Sequence, residues 1–364
     1  MDLLVDTKHP LEVSDNYIPQ QTPFWASFKQ QHGWNVKAFH IQINESHEPF
    51  TQADFIMLYR RIANDTTMAY IPYIPFDIPD HLHYGDMLEQ ITERIRPYLP
   101  ENCLFLRYDV SWESPWVYEP ERFDENGTWL GNPEPHVREL RMNFGTRNHA
   151  LRKSGTDMLP SNTLFVDLNP NPEHILNSMK SKTRYNIRLS ARKGVHVRRA
   201  NINDLPLWYG IYRETTSRNH IHSDDYQFFK SLWKAQEQDP DTELQLLLAE
   251  KDDQPLAGMV LTLNNGRATY LYGASSSDRR NLMATYLLQW EAMQTAKSRG
   301  CETYDMFGVS PLADPGHPMY GLYRFKKGFG GDLFHRQGCW DYVFDEAKYQ
   351  LYRTEEQQMP GYHN

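Results

Sequence analysis

The sequence has little cysteine, no long apolar run and no excess of positive charge. Its three cysteines are far apart in a chain of 364 residues, so they predict neither a disulfide framework nor a zinc site. No stretch of 18 apolar residues is present, which argues against a membrane-spanning helix. The formal net charge is −9, so any contact with nucleic acid must come from a local basic patch.

The sequence also lacks the common signatures of secretion, metal binding and covalent catalysis. Acids and a proline interrupt the apolar residues of MDLLVDTKHPLEV, unlike a signal peptide. With the low cysteine usage, this predicts a cytoplasmic protein. The 15 histidines show no metal-ligand spacing, and no phosphate-binding loop or serine-nucleophile motif is present. We therefore expect no metal and no cofactor.

Apolar periodicity predicts an α+β protein, and the length favours two domains. The clearest pattern lies in the second half, where 244–251, 256–264 and 267–275 read as three strands joined by short turns. A long helix follows up to Gly300, and a further strand begins at Cys301. This order is typical of the acetyltransferase-like fold. By contrast, 111–160 is rich in Pro, Gly, Asn and acids, which predicts a loop-rich insertion.

One segment is strongly basic although the whole chain is acidic. From Lys180 to Arg199 there are eight Lys or Arg residues and no acid. Helical spacing places Arg184, Arg188 and Arg192 along one face, and a cationic stripe of this kind predicts a phosphate-binding surface. The alternative is a solvated helix face whose acidic partners come from elsewhere in the fold.

Four segments, in this order and spacing, resemble the Fem family of nonribosomal peptidyl transferases. They are PFWASFKQQHGW, MKSKTRYNIRLSARKGVHV, the stretch from ATYLYGAS to CETYDMFG, and GLYRFKKGFGG. The resemblance implies two acetyltransferase-like (GNAT-like) domains with mixed, largely antiparallel sheets. We place the domains at 1–158 and 159–322, with a C-terminal segment at 323–364 that returns to the first. No heptad run appears, so the chain resembles the short form without a coiled-coil arm.

The resemblance also implies an activity. Members of the family transfer an amino acid, usually Gly, Ala or Ser, from aminoacyl-tRNA to a peptidoglycan precursor. The acceptor is the side-chain amine of the third stem residue of a muramyl-pentapeptide, and the product forms the interpeptide bridge. The expected partners are aminoacyl-tRNA and either UDP-MurNAc-pentapeptide or lipid II, with transient contact to a membrane surface. The expected state is a monomer.

The matched motifs also imply roles for particular residues. Phe325 and Lys326 match a catalytic pair in which the lysine supplies positive charge to the tetrahedral oxyanion; the alternative is a surface lysine at a strand-to-turn junction. The matched precursor-binding residues are Lys29, His222, Tyr226 and Tyr272. The residues expected to bind tRNA are Lys182, Arg184, Arg188, Arg192 and Lys193.

His222 and Asp305 differ from the other candidates. His222 occupies a position where the family has arginine, so a phosphate contact there would depend on pH. Asp305 is a further candidate at the end of a predicted strand beside the cleft, where it would position an amine or water; the alternative is a turn aspartate.

The sequence leaves two other functions open. The first is an N-acyltransferase of the same fold that uses acyl-CoA. Leu282 argues against it, because the loop that cradles the CoA pyrophosphate has glycine at that position and a side chain would obstruct the backbone's approach. The second is a non-catalytic module that binds tRNA or the precursor without turnover.

Overall fold

The computed structural model describes residues 2–44, 51–63, 65–78, 83–357 and 362–363. These residues divide into two compact units, of which unit 1 comprises 1–161 and 335–364 and unit 2 comprises 162–334. The sequence placed the boundaries after residues 158 and 322. The second division falls later in the structure because Tyr323, Phe325 and Leu333 pack against the core of unit 2.

Unit 1 is built on a mixed sheet. Its strands are β1 (Asp2–Lys8), β2 (Asn35–Asn44), β3 (Thr51–Ala63), β4 (Thr66–Ile71), β5 (Cys103–Glu113), β6 (Leu151–Lys153) and β7 (Thr156–Asp157). They are joined by β14 (Asp332–Val343), which enters unit 1 at His335, and by β15 (Tyr362–His363). The main order is β1-β2-β3-β4-β5-β14, β6 pairs with β14, and β7 pairs with β15. Among the described strands of this unit, only β4 and β5 run parallel.

The helices of unit 1 cover this sheet and tie the chain end to it. They are α1 (Pro23–Gln31), α2 (Tyr84–Ile95), α3 (Pro135–Met142) and α10 (Glu346–Glu356). The buried Arg107 of β5 holds α10 in place, because its guanidinium donates to Asp341 at 2.7 Å and to Glu356 at 2.6 Å. Residues 114–134, in the segment predicted to be rich in loops, form turns with two short 3-10 helices.

Unit 2 repeats the same arrangement of strands. Its strands are β8 (Asn162–Asp167), β9 (His196–Ala200), β10 (Glu243–Lys251), β11 (Gln254–Asn264), β12 (Arg267–Ser275) and β13 (Thr303–Asp305). The order is β8-β13-β12-β11-β10-β9, and of these strands only β12 and β13 run parallel. The predicted three-strand meander is therefore confirmed as β10-β11-β12. The predicted α+β class with mixed, largely antiparallel sheets is confirmed in both units.

Six α-helices complete unit 2. They are α4 (Pro172–Ser178), α5 (Ser181–Arg192), α6 (Leu205–Asn219), α7 (Tyr226–Gln236), α8 (Ala284–Ser298) and α9 (Tyr320–Lys327). The helix α8 connects the parallel strands β12 and β13, as α2 connects β4 and β5 in unit 1. The longest helices have 15 residues, so the described part of unit 2 contains no coiled-coil arm.

Two local features of unit 2 could not be read from the sequence pattern alone. The alternative given for Lys326, a surface lysine at a strand-to-turn junction, is wrong, because Tyr320–Lys327 forms the helix α9 and Lys326 is buried. The helical spacing of the basic segment is confirmed in α5, but that helix is separated from α4 by a break in the chain. The break places Met179 in extended backbone with its side chain in the core of unit 2, and burial of that side chain outweighs helical continuity.

Candidate active site

Lys326 is a buried lysine held by two backbone carbonyls. The residue is only 4% exposed, and its Nζ donates to the carbonyl oxygens of Phe307 at 3.1 Å and Gly308 at 2.7 Å. The ring centroid of Tyr270 lies 5.3 Å from Nζ, within cation–π distance. An ammonium has three donors, so one N–H of Lys326 has no acceptor among the residues that the structure describes.

The surroundings of Lys326 change its proton affinity. Burial disfavours the charged form and lowers the pKa of Lys326 to about 7, while the negative charge of Asp305 acts in the opposite direction. Near neutral pH the side chain therefore exists in both its ammonium and its amine form. Such a shift in a lysine is characteristic of functional sites.

The carbonyls that hold Lys326 come from the turn after β13. Asp305 is buried and accepts hydrogen bonds from the hydroxyl of Thr163 and, at 2.8 Å, from the backbone N–H of Phe307. Phe307 adopts a φ of +58°, which is unfavourable for a bulky side chain. The aspartate therefore stabilises a strained turn, and that turn presents the carbonyls of Phe307 and Gly308 to Lys326.

The glycines after Lys326 allow close approach to the rest of unit 2. A Cβ at Gly331 would lie 2.2 Å from a side-chain carbon of Leu164 and 2.4 Å from the carbonyl of Phe165. The carbonyl of Gly328 accepts a 2.9 Å hydrogen bond from the N–H of Lys180, immediately before α5. The KGFGG sequence thus joins the end of α9, which carries Lys326, to the start of the basic helix.

Tyr270 contacts Lys326 but is not among the residues predicted from the sequence. A bulge in the β11–β12 ladder lies between Tyr270 and Tyr272, and bulges often redirect side chains at active sites. The Tyr270 hydroxyl lies over Gly273, where a Cβ would be 1.6 Å from it. The alternation Tyr270–Leu271–Tyr272–Gly273 was the available signal, because it combines two aromatic residues with a glycine that leaves space for one of them.

Phe325 and Lys327, the neighbours of Lys326, have different surroundings. Phe325 packs edge-on against Tyr286 and Phe329, with ring centroids 5.1 Å and 5.2 Å away, so it supports the helix from its apolar side. Lys327 donates to the carbonyl of Gly331 at 2.8 Å and does not contact the Phe307–Gly308 turn. The structure therefore distinguishes Lys326 from the adjacent lysine.

Tyr226 and Tyr272 belong to one aromatic cluster in unit 2. The ring of Tyr272 meets Phe229 edge-on at 5.2 Å, and Phe229 in turn contacts Tyr209. Tyr209 packs edge-on against Tyr226 at 5.4 Å. His222 is exposed in the loop that leads into α7. The two predicted tyrosines thus share a surface of α6, α7 and β12, and His222 lies close to it in sequence.

The predicted tRNA-binding residues lie on or next to α5. Lys182, Arg188 and Arg192 are exposed, and among the described residues their side chains have no hydrogen-bond or ion-pair partner. Arg184 instead donates to the carbonyls of Asn177 and Met179. Lys193 donates to the carbonyl of Asn281 at 2.9 Å.

The last two arginines of the basic segment have acidic partners from elsewhere in the fold, as the alternative interpretation predicts. Arg198 forms ion pairs with Asp204 at 2.9 Å and Glu250 at 2.7 Å. Arg199 pairs with Glu243 at 3.0 Å. These acids come from other elements of unit 2, so among the described residues the positive charge without an acidic partner lies on α5, on Lys180 before it and on Lys193 after it.

Lys29 is the one predicted site residue in unit 1. It lies in the last turn of α1, with its Nζ 5.0 Å from the ring centroid of Trp25 and 5.6 Å from that of Phe28. The favourable contact between the ammonium and these rings fixes the direction of the side chain.

The loop before α8 contains Leu282, the residue expected to obstruct CoA. Leu282 is buried in the core of unit 2 rather than lying over the helix start, which corrects the expected obstruction. Arg279 and Met283 adopt left-handed backbone with φ of +50° and +57°. The loop thus takes its shape by anchoring Leu282 inside the unit, with two non-glycine residues in unfavourable backbone.

In the described part of the chain, no three His, Cys, Asp or Glu side chains are grouped to hold a metal ion. None of the helices that the structure describes has the length and apolar character needed to cross a membrane.

Comparison with known proteins gives a family match along most of the chain. The profile of the FemAB family matches residues 12–250 and 233–357. The lipid II:glycine glycyltransferase of Staphylococcus haemolyticus strain JCSC1435 is 25% identical over 53% of this chain and 61% of its own length. The enzyme of the same name from Staphylococcus aureus strain USA300 is 23% identical over the same shares. The matched part of the chain thus spans about three fifths of the length of these relatives.

Solved structures show the same fold. The crystal structure of FemX is similar with a TM-score of 0.71 and 18% sequence identity, over 96% of this chain and 100% of that one. A conserved protein of unknown function from Bacteroides thetaiotaomicron VPI-5482 gives a TM-score of 0.51 at 8% identity, over 92% and 94% of the two chains.

Proposed function

The chain belongs to the FemAB family, and from this premise we propose that it is an aminoacyltransferase of peptidoglycan bridge formation. The donor is an aminoacyl-tRNA, and the acceptor is the side-chain amine of the third stem residue of a muramyl-pentapeptide precursor. The names of the relatives, lipid II:glycine glycyltransferase, make glycine the first donor and lipid II the first acceptor to test.

The observation that carries this proposal is the environment of Lys326. Its ammonium is desolvated, held by the carbonyls of Phe307 and Gly308, and among the described residues has one N–H left to donate. A preorganised donor in a water-poor site stabilises developing negative charge far better than a donor in water, because it needs no reorganisation during the reaction. Aminoacyl transfer develops such charge on the ester oxygen.

The reaction needs no nucleophile from the protein. The acceptor amine attacks the ester carbonyl of the aminoacyl-tRNA, and a C–N bond forms while the carbonyl oxygen becomes an oxyanion. The Lys326 ammonium donates a hydrogen bond to this oxyanion. When the intermediate collapses, the C–O bond to the ribose breaks, and the proton lost by the amine ends on the ribose hydroxyl. Catalysis then rests on positioning and electrostatics.

The neighbouring basic helix supports tRNA as the donor. Lys182, Arg188 and Arg192 on α5 are exposed, and α5 begins where the carbonyl of Gly328 is bonded to Lys180. Phosphates bound along α5 would therefore lie next to the helix that carries Lys326. Arg184 and Lys193 belong to the same surface, although their side chains also donate to backbone carbonyls.

The acceptor is assigned to the aromatic surface of unit 2. Tyr226 and Tyr272 share a cluster of rings, which gives flat apolar area with hydroxyls at its edge. His222 lies at the start of this surface and adds positive charge when protonated. Lys29 is assigned a contact with the acidic part of the precursor, and Asp305 holds the turn behind Lys326.

The test is reconstitution with defined substrates. Purified protein is incubated with tRNA charged with radiolabelled glycine, alanine or serine, and with lipid II or UDP-MurNAc-pentapeptide, and the product is identified by mass. Transfer of one residue to the stem peptide supports the proposal. Acetyl transfer from acetyl-CoA without tRNA supports the acyl-CoA alternative, and binding of tRNA or precursor with no product supports the non-catalytic one.

A further inference from the structure

Unit 1 contains a cavity of about 250 Å³ that the proposed mechanism does not use. It lies between the start of α2, the chain after β5, the helix α3 and the beginning of β14. Its walls include the aromatic rings of Tyr84, Trp116 and Trp340. No aspartate or glutamate is among the described residues that line it, which is unusual in a chain with a net charge of −9.

A buried arginine forms one side of this cavity. Arg138 is 8% exposed, and its guanidinium donates to the carbonyl of Gln337 at 3.0 Å. Among the described residues it forms no ion pair with a carboxylate. Burial lowers the pKa of Arg138 to about 10, with Asp157 and Glu139 acting in the opposite direction, so it remains charged at neutral pH. The guanidinium also lies 5.8 Å from the ring centroid of Trp340, and a buried guanidinium with no carboxylate in direct contact is costly unless an anion joins it.

Two further buried donors lie next to Arg138. The side-chain amide nitrogen of Gln337 and the indole nitrogen of Trp340 have no hydrogen-bond acceptor within the described ranges of the chain. These residues are 5% and 2% exposed, and both line the cavity. Both nitrogens are shielded from solvent, so other atoms of these two residues line the cavity, and the positive charge at its wall comes from Arg138.

The start of α2 adds a weaker attraction for negative charge. Tyr84 and Gly85 open this 12-residue helix and line the cavity, so the positive end of the helix dipole lies at the cavity. Asp86 in the same turn accepts from Gln90 and does not line the cavity. Near its edge, Arg141 is exposed and pairs with Glu119 at 2.7 Å.

From these groups we propose that the unit 1 cavity binds the terminal carboxylate of a short peptide. One buried cation matches one negative charge, and the planar guanidinium matches a carboxylate. The volume is below the roughly 300–1,000 Å³ of ordinary small-molecule sites, so the occupant is a terminal residue with a small side chain rather than a nucleotide. The aromatic walls contact its apolar part.

This assignment rests on the proposed function only for the identity of the peptide. If the chain modifies a stem peptide, the cavity holds the free end of that peptide while its third residue reacts elsewhere. The chemistry of the cavity, with Arg138 and no acid among its described lining residues, suits a carboxylate whatever reaction the chain performs.

The experiment is a titration of the full chain with acetyl-Ala-Ala, with its C-terminal amide and with inorganic phosphate. Trp116 and Trp340 line the cavity, so intrinsic fluorescence reports binding, and calorimetry checks the affinity. We expect the acid to bind and the amide to bind at least about 10-fold more weakly, because a hydrogen bond to a charged group is lost. Arg138→Gln should weaken binding of the acid by about 10- to 100-fold.

Matched variants separate binding from folding. Arg94→Gln, in the exposed last turn of the same α2, should leave the affinity unchanged. If Arg138→Gln does not fold, Trp116→Ala at the partly exposed wall should still weaken binding of the acid severalfold. Equal binding of acid and amide, binding of phosphate alone, or full affinity in folded Arg138→Gln would overturn the proposal.

The two proposals also fail separately. Binding of acetyl-Ala-Ala by a chain that transfers no amino acid would leave the carboxylate site standing and remove the proposed function. Normal aminoacyl transfer with no binding of acetyl-Ala-Ala would do the reverse.

Discussion

Replacing Lys326 with methionine is the most direct perturbation of the proposed site. Lys326→Met keeps the apolar stem in the core of unit 2 and removes the ammonium that donates to Phe307 and Gly308. The loss of one preorganised donor to an oxyanion lowers kcat by about 10²–10³-fold in other enzymes, and we expect a loss of this size. Because the residue is buried, the KM values should change little.

Lys327→Met is the internal control. Its Nζ bonds to Gly331 and does not reach the Phe307–Gly308 turn, so kcat should stay within about twofold of the wild-type value, as expected for a change outside the transition-state contacts. Aminoacyl transfer is measured with charged tRNA and precursor at saturation. Circular dichroism then confirms that both variants are folded.

The pH dependence tests which form of Lys326 acts. With a pKa of about 7, the ammonium fraction falls from about 90% at pH 6 to about 10% at pH 8. The acceptor amine also titrates, but it is common to both proteins, so the ratio of wild-type to Lys326→Met activity isolates the lysine. We expect that ratio to fall about tenfold from pH 6 to pH 8.

Stability gives an independent measure of the same pKa. The folded value of about 7 lies below the ordinary value of 10.5, so the unfolded chain binds more protons between these limits, and the free energy of unfolding should rise with pH from about 7 to 10.5. Lys326→Met should lack this rise. Urea unfolding at several pH values measures the difference between the two proteins.

Three results would refute the assignment of Lys326. The first is near-normal turnover in Lys326→Met, and the second is a larger loss of kcat in Lys327→Met than in Lys326→Met. The third is an activity ratio that rises with pH, which would mean that the neutral amine acts as a base instead of the ammonium acting as a donor.

Three other predictions address the tRNA surface, the precursor site and the fold. Arg188→Glu with Arg192→Glu should weaken tRNA binding and flatten its dependence on salt, because fewer counterions are released; filter binding across a salt series measures the slope. Lys29→Ala should raise the KM for precursor more than that for tRNA, as steady-state kinetics with each substrate varied in turn would show. Gly331→Ala should lower the free energy of unfolding by about 1–3 kcal/mol, because the new methyl group would lie 2.2 Å from Leu164; urea denaturation measures the change.

Each of these predictions has a matched control. Lys230→Glu reverses an exposed charge on α7 and should leave the salt slope of tRNA binding unchanged; an unchanged slope in the α5 variant as well would exclude this helix as the tRNA surface. Gln30→Ala, next to Lys29, should alter neither KM, whereas equal changes in both KM values for Lys29→Ala would indicate a folding role. Gly321→Ala meets nothing within 4 Å and should not destabilise, so equal losses at both glycines would contradict the packing argument.

Patterns of short range were read correctly from the sequence. The alternation in 244–275 and the two turns within it predicted the β10-β11-β12 meander, because a strand pattern and a turn signal both depend on adjacent residues. The helix that ends before Gly300 was equally clear, since Gly300 has a φ of +81° that glycine adopts at no steric cost. The four motifs also indicated the family, because each is a run of neighbouring residues.

The tertiary structure alone decided the properties of the site. Lys326 was chosen for the motif around it, but its helix, its burial and its lowered pKa come from the Phe307–Gly308 turn, which lies 18 residues or more away in sequence. The extent of the basic surface also depended on distant residues. Arg198 and Arg199 are neutralised by Glu250 and Glu243, which no local pattern connects to them.

The cavity of unit 1 likewise depends on tertiary contacts that the sequence pattern does not reveal. Its residues come from α2, the chain after β5, α3 and β14, and the sequence predicted only a loop-rich insertion there. Composition identified the glycines, prolines and acids that make this stretch irregular. Arg138 is desolvated, and among the described residues Gln337 and Trp340 lack acceptors, only because segments some 200 residues apart in sequence pack together. The cost of burying a polar group depends on everything that surrounds it, so no local pattern could reveal it.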